Sequence, residues 1–207
     1  MSPVSIGVLI SGGGTNLQAI IDNIKDGNIY GEIKLIVSNR KEAYGLIRGK
    51  EANIPTLFLD RKEFQSEEEY NLQLIKEFKE RDVELIILAG YLRVLSNEFI
   101  QEFRGKIINI HPSLIPSFSG KGYYGEKVHQ GVLDHGVKVT GATVHFVDEG
   151  TDTGPIILQE VVYVDKEETL DTLKEKVLKV EHKILVQAVK LYCQSRITIE
   201  GRKVIID

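Results

Sequence analysis

A chain of 207 residues with 42% hydrophobic content is long enough to bury one sizeable α/β core. Lys and Arg number 26 against 30 Asp and Glu, a net charge of −4, which argues against a nucleic-acid binder with its basic surface excess. The start, Met1-Ser2-Pro3-Val4-Ser5, lacks the basic and apolar regions of a signal peptide. No apolar run reaches the roughly 20 residues that cross a bilayer. The lone cysteine, Cys193, has no partner for an internal disulfide and reads as a buried thiol on a late helix. Together these features point to a reducing cytoplasm and away from membranes.

In chain order, Val4–Ile10, Ile33–Val37, Thr56–Leu59, Glu84–Ala89 and Lys106–Ile110 are short apolar runs, the pattern of buried strands in a parallel sheet covered on both faces. Between the first two, Leu17, Ile20, Ile21 and Ile24 recur at helical spacing, and Gly27 follows as a stop. Ser66-Glu67-Glu68-Glu69 reads as a capping box opening a helix that carries Leu72, Ile75 and Phe78. Ser96 is expected to cap another helix, bearing Phe99, Ile100 and Phe103. The alternation predicts a doubly wound, Rossmann-like α/β sheet.

Farther on, Lys138–Val147 and Pro155–Val164 are longer β-rich runs that can join the same sheet, separated by the loop of residues 148–154. An amphipathic helix follows, with Leu170, Leu173, Val177, Val180, Ile184 and Val189 on or near one face. A hairpin over Ile197–Ile206, turning near Gly201, closes the chain. No linker, repeat or low-complexity segment interrupts it, so residues 1–207 are read as a single domain.

Three segments carry chemistry. Ser11-Gly12-Gly13-Gly14-Thr15-Asn16 leaves the first strand and opens the first helix. Glycines let the backbone turn tightly and expose its N–H groups, and the helix N-terminus adds partial positive charge, so a phosphate is well placed there. Leu17 stands where a dinucleotide fingerprint wants glycine, and the second strand ends in Ser38-Asn39-Arg40 with no acid for a ribose diol. A Walker Gly-Lys-Ser/Thr is also missing, so the loop suits a monophosphate better than NAD or ATP. A merely structural βα turn is the bland alternative.

The second segment is Asn109-Ile110-His111-Pro112-Ser113. Alternation along a strand puts Asn109 and His111 on one side, at the carboxyl edge of the sheet where open α/β folds bind ligands. Asn offers an uncharged donor to a developing oxyanion, and His can carry a proton near neutrality. The pair alone fits a structural hydrogen bond equally well. The third segment is the loop with Asp148, Glu149 and Asp152. A carboxylate there can face an imidazole, fix its orientation and raise its pKa, although such loops are more often solvated connections. His129, His135 and His182 lack metal-ligand spacing, so no metal site is expected.

Taken together, Ser11–Gln18, Leu88-Ala89-Gly90-Tyr91-Leu92-Arg93, Asn109–Leu114, and Val144–Val147 leading to Asp152-Thr153-Gly154-Pro155 resemble the phosphoribosylglycinamide formyltransferases, over nearly the whole chain. The resemblance implies a mostly parallel sheet of about seven strands. It also implies transfer of the formyl group of 10-formyltetrahydrofolate to the amine of glycinamide ribonucleotide in purine biosynthesis, by direct attack through a tetrahedral intermediate. Asn109, His111 and Asp152 then correspond to the catalytic trio. Gly14, Thr15 and Asn16 correspond to the ligands of the substrate phosphate, and Glu181 to the acid that contacts the ribose. Leu92, Arg93, Val94 and Leu95, together with Asn109 and Asp148, correspond to the folate pocket.

The implied partners are these small molecules, without metal, nucleic acid or membrane, in a cytoplasmic monomer or homodimer. Two departures stand out: Glu67 where the family often has an arginine that meets the folate tail, and the stretch Ser117–Tyr124. Related readings, a formyltetrahydrofolate hydrolase and a formyltransferase acting on initiator methionyl-tRNA, are disfavoured by the complete phosphate loop and by the lack of an added basic domain. A dehydrogenase is disfavoured by Leu17 and Asn39, and a catalytically silent nucleotide-binding protein by the three polar groups.

Overall fold

The computed structural model describes residues 2–207; Met1, the first residue of the segment tested for a signal peptide, lies outside them. The elements run β1 (Val4–Ile10), α1 (Thr15–Lys25), β2 (Gly31–Ser38), α2 (Tyr44–Glu51), β3 (Thr56–Phe58), α3 (Glu67–Lys79), β4 (Leu85–Leu88), α4 (Asn97–Glu102) and β5 (Ile107–His111). Then come α5 (Glu126–Asp134), β6 (Val139–Phe146), β7 (Ile156–Tyr163), α6 (Leu170–Cys193), β8 (Ile197–Glu200) and β9 (Lys203–Ile206).

Seven strands form one sheet in the order β3-β2-β1-β4-β5-β6-β7, and β8 pairs with β9 as a separate ribbon. The first five strands pair in parallel, while β6 and β7 are antiparallel additions. Strand β1 has β2 on one side and β4 on the other, so the order reverses there and opens a crevice at the carboxyl ends of β1 and β4. The loops that leave these strands are the glycine loop and Gly90-Tyr91-Leu92.

Alternation along the strands feeds two cores. Ile6, Val8 and Ile10 of β1 pack with Leu17, Ile20 and Ile21 of α1 and with Leu173, Val177 and Ile184 of α6. Leu9 and Ile86 face the other way, onto Tyr70, Leu74 and Phe78 of α3 and Phe99 of α4. Gly7 admits this second layer, since a Cβ there would stand 2.5 Å from the Phe78 ring.

Two local expectations change. At α3 the Ser66 hydroxyl caps Glu69 N–H, but the Glu69 carboxylate accepts from Gln65 N–H, one residue earlier than a capping box requires. The reciprocal box forms instead between Thr169 and Thr172 at the start of α6. Cys193 is half-buried rather than fully buried, because it sits on the last turn of α6 near the sheet rim. Its surroundings still push the thiol up to about 12, burial being the main cause, so it stays protonated and inert at neutral pH.

Candidate active site

Asn109 and His111 lie on β5 with one residue between them, and the antiparallel register sets Asn109 directly opposite His145 of β6. Asp152 reaches the same place from the loop between β6 and β7, at φ 57°, a left-handed conformation that an Asp tolerates better than most residues. Its Oδ2 lies 3.6 Å from His111 Nδ1, and its Oδ1 lies 3.7 Å from His145 Nε2. The predicted trio therefore converges, and a second imidazole joins it.

Hydrogen bonds fix the tautomers. His145 Nδ1 donates to the Phe146 carbonyl (2.8 Å), and its Nε2 pairs with Asn109 Nδ2 at 3.1 Å. One N–H of the Asn109 amide is thereby held, and the other remains to donate elsewhere. His111 Nε2 donates to the Phe118 carbonyl at 2.9 Å, so Nδ1, the nitrogen facing Asp152, is the one free to take a proton. Gly120 N–H donates to Asp152 Oδ2 at 2.9 Å, so the segment 117–125 braces both the imidazole and the carboxylate.

The electrostatics correct one expectation. Burial lowers the His111 pKa below its ordinary 6.5, and this outweighs the raising effects of Asp152 and the Phe118 carbonyl; His145 lowers it further. His111 is thus neutral at pH 7, whereas facing carboxylates were expected to raise an imidazole. Burial also works against ionisation of Asp152, but His145, His111 and the Gly120 N–H together hold that carboxyl below its usual range. The arrangement is a neutral base beside a fixed negative charge, with an uncharged donor alongside.

At the β1 edge, Gly14 ends the glycine loop at φ 69° and N-caps α1 without any side-chain cap. Asn16 is buried and donates from Nδ2 to Glu181 Oε2 on α6 at 2.7 Å, while its Oδ1 has no partner among the described residues. Burial raises the Glu181 pKa to about 7, with the Asn16 hydrogen bond pulling the other way. Thr15 is half-buried in the first turn. The four expected nucleotide ligands thus meet where the start of α1 packs against the middle of α6.

Ser11 ties this loop to the next wall. Its N–H donates to Gly90 O (3.1 Å), and its hydroxyl accepts from Leu92 N–H (2.9 Å) while donating to Asn39 Oδ1 (2.6 Å). From there Leu92, Arg93, Val94 and Leu95 line a cavity of about 560 Å³ together with Glu67 and Asn71. Leu92 and Val94 are exposed and Leu95 is buried. Glu67 closes on Arg93 at 2.5 and 2.7 Å and on Arg61 at 2.9 Å. These contacts, Arg93 foremost, lower its pKa.

Asp148 does not line that cavity. Its Oδ1 accepts from Gly150 N–H and the Thr153 hydroxyl, bracing its own loop.

His145 falls within the Val144–Val147 motif, yet the sequence alone assigns it no role. The signal was available in the alternation of β6, once its antiparallel register with β5 is set. Among the described residues, no group of three or more His, Cys, Asp or Glu side chains could hold a metal, and no helix is long and apolar enough to cross a membrane.

The formyl transferase family model matches residues 4–189. The trifunctional purine biosynthetic protein adenosine-3 of Gallus gallus is 43% identical over 196 residues, covering 95% of this chain and 19% of that protein. The chain thus spans about a fifth of the length of that curated relative. Glycinamide ribonucleotide transformylase 1 from Symbiobacterium toebii superposes with a TM-score of 0.94 at 42% identity, covering 99% of this chain and 94% of that one. A phosphoribosylglycinamide formyltransferase from Coxiella burnetii gives 0.92 at 38% identity, covering 100% and 94%. With this fold and these matches, the chain belongs to the formyl transferase family, among the phosphoribosylglycinamide formyltransferases.

Proposed function

We propose that the chain, as a single cytoplasmic formyltransferase domain, moves the formyl group of 10-formyltetrahydrofolate onto the glycinamide amine of 5'-phosphoribosylglycinamide. The observation that carries this reading is the meeting of Asn109, His111, Asp152 and His145 around one point at the sheet edge. The glycine loop lies across the same edge, tied through Ser11 to the wall at Leu92. In this reading the substrate phosphate rests on the amides of Gly14, Thr15 and Asn16, and Glu181 accepts from the ribose hydroxyls. The pterin lies against Leu92–Leu95.

The amine nitrogen forms a bond to the formyl carbon and loses a proton, while the bond from that carbon to N10 breaks and N10 gains one. The free N–H of Asn109 donates to the formyl oxygen as negative charge gathers there. His111, neutral at rest, accepts the proton at Nδ1, where Asp152 stabilises the resulting imidazolium. None of these steps uses a metal, so a chelator leaves turnover unchanged.

The test combines purified protein, glycinamide ribonucleotide and formyl-folate, and follows the formyl donor and free formate separately. Formyl loss that requires the nucleotide, without formate, supports the reading. Formate release that does not depend on the nucleotide defeats it in favour of a hydrolase.

A further inference from the structure

The glycine loop is held from behind by α2, which none of the assignments above uses. Gly12 O accepts from Gly45 N–H (3.1 Å) at the start of α2. Gly13 O accepts from Arg48 Nε at 2.8 Å, one turn further on. The same guanidinium donates through Nη1 to Gln18 Oε1 on α1 (3.0 Å) and lies 4.9 Å above the centre of the Tyr44 ring. The packing is close: a Cβ on Gly14 would stand 2.7 Å from Gly45 Cα, and one on Gly45 would stand 2.3 Å from Ile10 Cδ1.

A trans peptide points its carbonyl and the following N–H in opposite directions. Turning the carbonyls of Gly12 and Gly13 onto α2 therefore turns the N–H groups of Gly13 and Gly14 to the far side of the loop. Neither finds an acceptor among the described residues. Two successive free amides running into an uncapped helix start form a concavity for an anion.

We propose that Arg48 is a positioning residue for nucleotide binding. It draws the Gly13 carbonyl back so that the loop amides face the substrate phosphate, without touching that phosphate itself. The inference rests on the reading of the loop as the phosphate site and adds the element that shapes it. A guanidinium suits the role because its planar fork holds Gly13 O and Gln18 Oε1 at once, which a lysine ammonium does not reproduce.

The test measures binding of glycinamide ribonucleotide and of its dephosphorylated riboside to the wild type, Arg48→Ala and Arg48→Lys, with kcat and KM alongside. Arg48→Ala is expected to weaken ribonucleotide binding and raise its KM about tenfold, while riboside binding and kcat stay within about twofold. Arg48→Lys is expected to remain at least about fivefold weaker for the ribonucleotide. Full rescue by lysine would show that charge alone matters and overturn the proposal. Equal losses for both ligands, or none, would also overturn it. A wild type with no preference for the phosphorylated ligand would reject the loop reading and this inference together. A preference that survives intact in Arg48→Ala rejects only the role of Arg48.

Discussion

Replacing Asn109 by alanine removes the one uncharged donor at the reaction centre. Losing a single positioned donor in an acyl-transfer site costs about 3–4 kcal/mol of transition-state stabilisation, or about 10²–10³ in turnover. The fold bears the change easily. Asn109 is partly buried, and among the described residues its side chain bonds to His145 alone, a contact of about 1 kcal/mol. His145 orients this amide and also stands 3.7 Å from the Asp152 carboxylate, so His145→Ala is expected to cost about five- to tenfold. Once Asn109 is gone there is no amide left to orient, and the double variant is expected to lose less than the two single losses combined. The assay is kcat for formyl transfer in all four proteins, with melting curves confirming that each is folded. Turnover within fivefold of wild type in Asn109→Ala refutes the donor role, and additive losses in the double variant refute the coupling through the amide.

Four further outcomes follow from the same geometry. Asp152→Asn keeps an acceptor for Gly120 N–H but removes the charge beside His111, and is expected to lose at least about 10² in kcat with the fold retained. Because His111 must be neutral to take a proton and its pKa lies below 6.5, activity is expected to persist below pH 6.5 and to fall only as pH drops through the lowered value. In Asp152→Asn that acid limb moves lower still, since the carboxylate raises the His111 pKa, and an unmoved limb in a kcat–pH profile would contradict the assignment.

Glu181, raised to about 7 in the folded chain, binds a proton that the unfolded chain releases near 4.5. Stability from this group is therefore present below about pH 4.5 and lost as pH rises towards 7, by on the order of 3 kcal/mol. Glu181→Gln should thus melt several degrees higher at pH 8 and near wild type at pH 5, while binding the nucleotide more weakly. Equal melting shifts at both pH values would reject a buried ionisation at this position. Glu67→Ala releases Arg93 and Arg61 from an exposed pair worth at most about 1 kcal/mol in stability. It is expected to lower KM several-fold for formyl-folate with a polyglutamate tail, and an unchanged KM would show that position 67 does not face that tail.

The parallel half of the sheet was readable because its strands are continuous apolar runs and its first turn holds three successive glycines; Val4–Ile10 matches β1 at both ends. Asn109 and His111 were also readable, since the period of two puts them on one side of β5 whatever the rest of the fold does. What escaped depends on partners far away in sequence. His145 meets Asn109 only through the antiparallel register of β6 against β5, and the brace from Phe118 and Gly120 uses backbone atoms that carry no side-chain signature.

Helix α5 was missed because its short run, Glu126–Asp134, contains Gly131 and starts after Gly125 at φ 54°, so loop signals dominate it. Arg48 carries no signal in the sequence, because nothing local reveals that its target is the carbonyl of Gly13, 35 residues earlier. The sign of the His111 shift was missed for a similar reason. A facing acid can be guessed from sequence, whereas the burial that outweighs it exists only in the assembled sheet.

A crystal structure of the protein with glycinamide ribonucleotide and an unreactive 10-formyl folate analogue tests the central geometry most directly. The account places the analogue's carbonyl oxygen within about 2.7–3.1 Å of Asn109 Nδ2, with the nucleotide phosphate on the amides of residues 14–16. A phosphate bound away from the glycine loop, or a carbonyl turned away from Asn109, would contradict it.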